Sequence, residues 1–339
     1  AVEAAPAFNT DKQSQWLTRL QAEQDNCRAA WETLHTDPDG ILLELRLVGA
    51  LSSFWRAGGY LREGHQYLTQ SLKRPGAELP TLERGKALNS LGLVEWMLSD
   101  LASAETSFQA ALTIWRTLSD SKGIGKALDN LALLAAERND YDAVRRLSTE
   151  SLAIHQANGD LNSQAICYVN FGNAALDEDK WDEGISHHEQ ALALYRKIGD
   201  ENGVSISLAS LGYAARERGD FEAARVYYRE SLLLRQKQRD PWRIAYSLSS
   251  IANLMGCIGN AADALRLYAA CDALRERLGS PLTGNRRADQ ENVIAELCTQ
   301  LPEDTSKRAL DDGSQLSEQA AVTLALDCTA SPFSLPPSP

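Results

Sequence analysis

The sequence repeats itself with a step of 40 residues: Leu91-Gly92, Leu131-Ala132, Phe171-Gly172, Leu211-Gly212 and Ile251-Ala252 form a ladder with no insertion between rungs. A chain patterned this way stacks one small unit on the next, so each unit completes the core of its neighbours and no single central core is required. The 339 residues, more than one compact core usually organises, fit that solution. Other positions keep the step. Ala104, Val144, Gly184, Ala224 and Ala264 are small or nearly so, as are Ala111, Ser151, Ala191, Ser231 and Cys271. Small residues recur where two helices must approach closely. Leu112, Leu152, Leu192 and Leu232, then Ile114, Ile154, Leu194, Leu234 and Leu274, mark the buried stripe of a second helix.

The punctuation obeys the same lattice. Asp120, Asp160, Asp200 and Asp240 stand where a first helix should begin, since a carboxylate there accepts orphan backbone N–H groups. Pro241 follows Asp240 at a position where a missing N–H sacrifices nothing. Gly159, Gly199 and Gly279 stand where the preceding helix should end, a place that favours a left-handed residue. A second cap series, Asp100, Asp140, Asp220 and Asn260, divides each unit into a helix A, a turn and a longer helix B; Lys180 breaks it.

Extended backward, the step puts Ser52 and Gly64 at small positions, with helices near 41–56 and 60–73. Before them Trp16, Leu20, Cys27, Trp31 and Leu34 describe one apolar face of a helix ending at Asp37-Pro38-Asp39-Gly40. After Gly279 the step fails, yet Arg286–Leu301 and Gln315–Leu326 remain helical in pattern. The expected organisation is therefore an N-terminal capping helix in 1–36, six repeats in 37–279, a helical cap in 280–327 that seals the open end of the core, and a proline- and serine-rich linker or tail in 328–339.

These residues carry a resemblance. Leu91-Gly92 with Leu101-Ala102-Ser103-Ala104 and Phe108, and Leu211-Gly212 with Phe221-Glu222-Ala223-Ala224 and Tyr228, resemble the tetratricopeptide repeat (TPR) signature, with a step longer than that family's common length. The aromatic usual three positions after the glycine is replaced by Glu95, Ala135, Ala175, Ala215 and Met255. The resemblance implies an all-α fold, a right-handed TPR superhelix or α-solenoid of about six 40-residue helix-turn-helix repeats with helical caps. A narrower resemblance lies at the two ends. Trp16-Leu17-Thr18-Arg19-Leu20 with Glu23, Asp25-Asn26 and Arg28-Ala29-Ala30 is similar to the start of the repeat arm of bacterial STAND-type ATPases, including large LuxR-type ATP-binding transcriptional regulators. Leu274–Leu282 and then Leu316-Ser317-Glu318-Gln319-Ala320 resemble the end of such arms. That likeness implies a sensor arm controlling a motor domain encoded elsewhere in a parent protein, of which this chain, beginning at Ala1, is an excised fragment.

Composition narrows the partners. A net charge of −12 disfavours attraction to a phosphate backbone, which needs clustered Lys and Arg, so no direct nucleic-acid binding is expected. No apolar run is long enough to span a bilayer, and no membrane partner is expected. Cys27, Cys167, Cys257, Cys271, Cys298 and Cys328 are scattered without a Cys-x-x-Cys pair, which reads as reduced thiols in a cytoplasmic protein.

The sequence is poor in catalytic signals. Gly123-Ile124-Gly125-Lys126-Ala127 hints at a phosphate loop, but position 120 is Asp and Ala127 lacks the hydroxyl that would meet Mg²⁺; a helix start is the better reading. His187-His188-Glu189 could suggest a metal, yet adjacent helical residues point apart, and His188 falls in the Phe108/Tyr228/Tyr268 core register. No enzyme activity, metal or cofactor is expected. The inner face of helix A is instead the candidate site. It would present Arg46, Ser53 and Arg56 in the first repeat, then Lys86, Asn89, Leu93 and Trp96; Lys126, Asp129, Asn130 and Glu137; Asn170, Asn173 and Asp177; Ser210, Tyr213, Arg216 and Glu217; and Tyr246 and Asn253. Amides that both donate and accept, with aromatic anchors, suit an extended peptide, a protein segment or a small signalling ligand in a concave groove. Ile166 stands where a clamp for a free C-terminus would want a cation. Three functions compete: a sensing arm of a larger signal-transduction ATPase that regulates transcription, a stand-alone adaptor recruiting peptides, and an enzyme with a dispersed site, for which nothing beyond the groove speaks.

Overall fold

The computed structural model describes residues 13–278, 282 and 284–331. All regular structure among them is helical. The capping segment holds α1 (Gln13–Ala22) and α2 (Gln24–Thr36), so the single expected helix is divided at Glu23. The A helices are α3 (Ile41–Gly58), α5 (Leu82–Met97), α7 (Ser121–Glu137), α9 (Leu161–Asp177), α11 (Glu201–Glu217) and α13 (Pro241–Cys257). The B helices are α4 (Leu61–Lys73), α6 (Leu101–Thr117), α8 (Tyr141–Asn158), α10 (Trp181–Ile198), α12 (Phe221–Gln238) and α14 (Ala261–Arg277). Three helices follow: α15 (Gly284–Thr299), α16 (Glu303–Ser314) and α17 (Glu318–Cys328). Periodicity accounts for the first and last of these but not for α16.

The turns explain the lattice. Residues 99, 119, 139, 159, 179, 199, 219, 239 and 259 all have positive φ, one every 20 residues. A left-handed residue reverses the chain after each helix from α5 to α13, and the next residue stands at the cap of the following one. Gly159 and Gly199 take this conformation as expected, whereas Gly279 lies outside the described residues. Side chains of Asp100, Asp140, Asp160, Asp200, Asp220, Asp240 and Asn260 accept backbone N–H groups at their helix starts, while Asp120 and Lys180 do not. Where an A helix meets its own B helix, the absent side chain decides the distance. A Cβ on Gly92 would lie 2.6 Å from the Phe108 ring, and one on Gly212 would lie 2.7 Å from the Tyr228 ring.

The chain forms two compact units, Ala1–Ala174 and Ala175–Pro339. In the first, α1 and α2 cover α3 and α4 through Trp16, Leu17, Leu20, Cys27 and Trp31, which pack on Val48, Leu51, Phe54 and Trp55. A buried carboxylate locks this end. Glu44 receives Ser71 Oγ at 2.6 Å, Arg74 Nη1 at 2.6 Å and His35 Nδ1 at 2.8 Å. Burial alone would raise its pKa, but those three hydrogen bonds outweigh it and hold Glu44 below the usual carboxylate range. Farther along, Phe108, Leu112 and Trp115 of α6 pack with Leu128, Leu131 and Leu134 of α7.

In the second unit, Tyr228, Leu232, Ile244, Leu248, Tyr268 and Leu274 form a core that continues into Leu297, Ala309, Ala321, Val322 and Ala325 of the last three helices. α16 lies close against α14, where a Cβ on Gly313 would lie 2.3 Å from the Arg266 carbonyl oxygen. Arg225 and Arg229 of α12 donate to the Thr329 and Leu326 carbonyls at the end of α17, favourable for a helix C-terminus. Thr329 is fully buried, so the folded unit runs past the expected start of the tail, and residues 332–339 lie outside the described residues.

Candidate functional site

The candidate residues follow helix A, whose 3.6-residue turn alternates a core stripe with a second, more open stripe. In α5 the buried stripe includes Gly85, Ala87, Leu88, Leu91 and Gly92, and in α7 it includes Gly125, Ala127, Leu128, Leu131 and Ala132. Lys86 and Lys126, one step apart between those residues, are exposed. Asn89 and Asn130 are half-buried and meet each other, with Asn130 Nδ2 donating to Asn89 Oδ1 at 2.8 Å. Trp96 Nε1 donates to Glu137 Oε1 at 3.3 Å while its ring packs on the core of the first unit. The expected groove residues of α5 and α7 thus stitch two A helices together along one face. On α9, Asn173 is exposed and Asn170 half-buried.

The second unit brings together a different set. Arg216 lies over the Tyr213 ring at 5.4 Å and pairs with Glu217. Tyr213 is also 6.0 Å from Trp181, centroid to centroid. Tyr246 is 52% exposed and roofs Arg235, whose guanidinium lies 5.4 Å from the ring. Asn253 is occupied internally: it accepts from Tyr268 Oη at 2.8 Å and donates to the Ser249 carbonyl at 3.0 Å. Arg235 itself is buried. It donates to Ser247 Oγ at 2.8 Å and to the Arg243 carbonyl at 3.2 Å, and burial pushes it down to about 10. Sequence reasoning misses it, although Arg235 stands in register with the buried aromatics Trp115 and Tyr195.

The two motifs that the sequence offers as lookalikes have structural duties. A Cβ on Gly123 would lie 2.4 Å from the Trp115 ring and one on Gly125 would lie 2.5 Å from His155 Cε1, so these glycines admit large side chains of α6 and α8. His188 is fully buried, and burial pushes its imidazole down to about 4. His187 lies 3.8 Å from Glu183.

A polar cluster that no motif announced lies behind the α7 face. Asp129 accepts from Ser151 Oγ and meets His155 Nε2 at 2.9 Å, while Cys167 Sγ lies 3.6 Å from Asp129 and 3.2 Å from Ser151 Oγ. His155 and Cys167 are buried, and Asp129 is 14% exposed. The Cys167 thiol is pushed up to about 12, by burial first and then by the Asp129 charge, which disqualifies it as a nucleophile near neutral pH. The signal in the sequence is its register. One step toward the N-terminus the same positions hold Asn89, Ala111, Trp115 and Ala127.

Comparison with known proteins places the repeats. The tetratricopeptide repeat family model matches residues 83–157 and 163–237. No curated protein matches the sequence. Among solved structures, the apo form of RapI superposes with a TM-score of 0.61 at 13% identity, over 85% of this chain and 100% of that one. A Rap protein complexed with Competence and Sporulation Factor gives 0.58 at 11% identity, over 97% and 96%. A signal transduction ATPase with numerous domains, carrying a tetratricopeptide repeat sensor, from Pyrococcus horikoshii gives 0.52 at 14% identity, over 80% of this chain and 46% of that one. At such identities the likeness is one of fold. The chain carries tetratricopeptide repeats in an all-α, solenoid-type architecture, one that generally serves as a non-catalytic scaffold for protein interaction. Among the described residues no helix is long and apolar enough to cross a membrane.

Proposed function

We propose that this chain is a non-catalytic, cytoplasmic sensor arm that binds a protein segment, a peptide or a small signalling ligand on the inner faces of its A helices, and that it belongs to a larger signal-transduction ATPase regulating transcription. One observation carries the binding site: exposed Lys86 and Lys126, one step apart, flank the Asn89–Asn130 pair that joins α5 and α7. In a chain of net charge −12, two cations aligned beside amide groups favour an extended ligand rich in carbonyls and carboxylates. Asn170 and Asn173 extend the first unit's surface, and Tyr213, Arg216 and Tyr246 supply the second unit's, where the Asn253 amide is already taken by Tyr268 and Ser249. The Pyrococcus horikoshii repeat sensor supports the sensor-arm context. The near end-to-end match to a Rap protein complexed with Competence and Sporulation Factor supports the alternative, a stand-alone adaptor scaffold. A phosphate loop encoded upstream of Ala1 in the parent reading frame would separate the two.

The test uses a ligand captured on the immobilised chain from its native cytosol and identified by mass spectrometry. Lys86→Ala with Lys126→Ala should weaken that ligand by about 0.5–1.5 kcal/mol per lost hydrogen bond without lowering the melting temperature appreciably. Asn130→Ala with Asn170→Ala should weaken it similarly and also lower the melting temperature slightly, because Asn130 bridges to Asn89. Arg146→Ala, exposed on α8, should bind normally. Normal binding by both groove variants together with loss in Arg146→Ala would move the site to the outer helices.

A further inference from the structure

The cluster of Asp129, His155 and Cys167 brings three metal-ligating side chains from three successive helices to one point. One ligand atom from each lies within 4.8 Å of the others. The individual separations are 2.9 Å between His155 Nε2 and Asp129 Oδ2, 3.6 Å between Cys167 Sγ and Asp129 Oδ1, and 3.2 Å between Cys167 Sγ and Ser151 Oγ. Bonds of about 2.0–2.3 Å directed to the corners of a tetrahedron place zinc ligands roughly 3.2–3.8 Å apart. The side chains therefore need only small adjustments to surround one ion.

The repeat lattice supplies an internal control, because the fold does not require these residues. One step toward the N-terminus, the seam of α5, α6 and α7 is built with Asn89, Ala111, Trp115 and Ala127, and Trp115 fills the His155 position as a buried apolar ring. Two steps toward the C-terminus, the seam of α11, α12 and α13 has Ala209, Ser231, Arg235 and Ser247, which is polar but holds a cation of its own. Among the described residues, only the seam of α7, α8 and α9 combines a carboxylate, an imidazole and a thiol. A buried polar group costs free energy unless its partners satisfy it. Three such groups stand together where Asn, Trp and Ala suffice in the preceding repeat, which points to a function for them. The His155 ring packs against Gly125, where any Cβ would lie 2.5 Å from Cε1. Asp129 is the partly exposed member, on the open side of α7, and provides the route in.

We propose that Asp129, His155 and Cys167 bind a single zinc ion, with the Ser151 hydroxyl or a water as fourth ligand, and that this ion staples α7, α8 and α9 together. On loading, the Cys167 thiol releases its proton to solvent as the zinc–sulfur bond forms. The Nε2 proton that Asp129 accepts passes through solvent to Nδ1, which frees Nε2 to bind the ion and leaves the ring proton on Nδ1. A thiolate, an imidazole and a carboxylate suit zinc, whereas magnesium and calcium prefer all-oxygen shells. Zinc there reverses the sequence expectation of no metal and takes Asp129 out of the inner-face set, leaving Lys86, Lys126 and the Asn89–Asn130 pair unaffected.

The test is a titration of the full chain, stripped with chelator and kept reduced, with Co²⁺ as a spectroscopic probe and then Zn²⁺. One equivalent of Co²⁺ should give a thiolate-to-cobalt charge-transfer band and the d–d bands of four-coordinate cobalt, both bleached by Zn²⁺. Cys167→Ala and Asp129→Asn each install the residue found in the preceding repeat, Ala127 or Asn89, so both substitutions suit the fold, and circular dichroism verifies it. Cys167→Ala should abolish the charge-transfer band, and either variant should weaken zinc in competition with a chromophoric chelator by about a hundredfold or more. Cys271→Ala, which leaves the cluster intact, should behave as the parent chain. Absence of saturable binding at one equivalent in the parent chain, or an unchanged band in Cys167→Ala, would overturn the site. If either variant fails to fold, the other decides.

Discussion

At His188 a titratable ring occupies the core position that Phe108, Tyr228 and Tyr268 fill in other repeats, and neither ring nitrogen has a hydrogen-bond partner among the described residues. Burial, aided by the neighbouring His187 charge, pushes the imidazole down to about 4 from its ordinary value near 6.5. The folded protein therefore keeps the ring neutral between those values, while the unfolded chain takes up a proton. Stability is complete above about pH 6.5 and falls as the pH drops toward 4, by up to ~3 kcal/mol from this one group. His188→Phe should remove that share of the loss. Urea midpoints at pH 7.5 and pH 5 in both proteins measure it, and an equal acid loss in the variant would show that other groups carry the effect. His188 is readable as a core residue from its register. Arg235 is not, because a cation in an aromatic slot follows no periodic rule and is satisfied only by the oxygens that α13 brings to it.

Among the elements, the turns are where local cost is concentrated. Five of the left-handed positions hold residues other than glycine: Ser99, Ser119, Asn139, Asp179 and Arg239. Asn and Asp tolerate this conformation through local hydrogen bonds, but Arg239, at φ 53° and ψ 44°, has a Cβ that crowds its own carbonyl. Relief of that crowding is worth about 1–2 kcal/mol, less the extra chain entropy that glycine brings to the unfolded state. Arg239→Gly should therefore raise stability by about 0.5–1 kcal/mol, visible as a higher denaturant midpoint with an unchanged slope. A lowered midpoint would mean that the arginine side chain contributes more than its backbone costs. The non-glycine turns are hidden in the sequence because a left-handed residue is compelled by the helices on either side, which bring the chain back whatever the turn residue prefers.

For the molecule as a whole, repeated helix-on-helix contact should make folding independent of cofactor and redox state. All six cysteines are free, and both units have apolar cores built from packed side chains. In excess chelator and reductant the chain should retain a strongly helical circular dichroism spectrum and a cooperative thermal transition. Zinc at the inferred site should shift that transition upward without being needed for it. Collapse of the helical signal in chelator would contradict the independence of the repeat lattice. Exposed ion pairs repeat between outer helices, Arg116 with Glu150 and Arg196 with Glu230, and such pairs add only tenths of a kcal/mol each.

The sequence by itself determined the helices of the repeats, their pairing into A and B, the 40-residue step and the register of buried positions. Each of these follows from local periodicity and from caps that act within a few residues. Neither the break at Glu23 nor α16 was among them. For the A helices the sequence offered a set of inner-face candidates, of which Lys86, Lys126, Asn173, Tyr213 and Tyr246 are exposed and the amides Asn89, Asn130, Asn170 and Asn253 half-buried. Only the tertiary structure decided which of those residues meet: that Asn130 is joined to Asn89, that Asn253 is occupied by Tyr268, and that the glycines of the phosphate-loop lookalike make room for Trp115 and His155. The same holds for Asp129, His155 and Cys167, which are 26 and 12 residues apart along the chain and become neighbours only when three helices close. Periodicity constrains a residue to a face, but a binding or metal-ligating cluster depends on distances between faces, and those are set by packing.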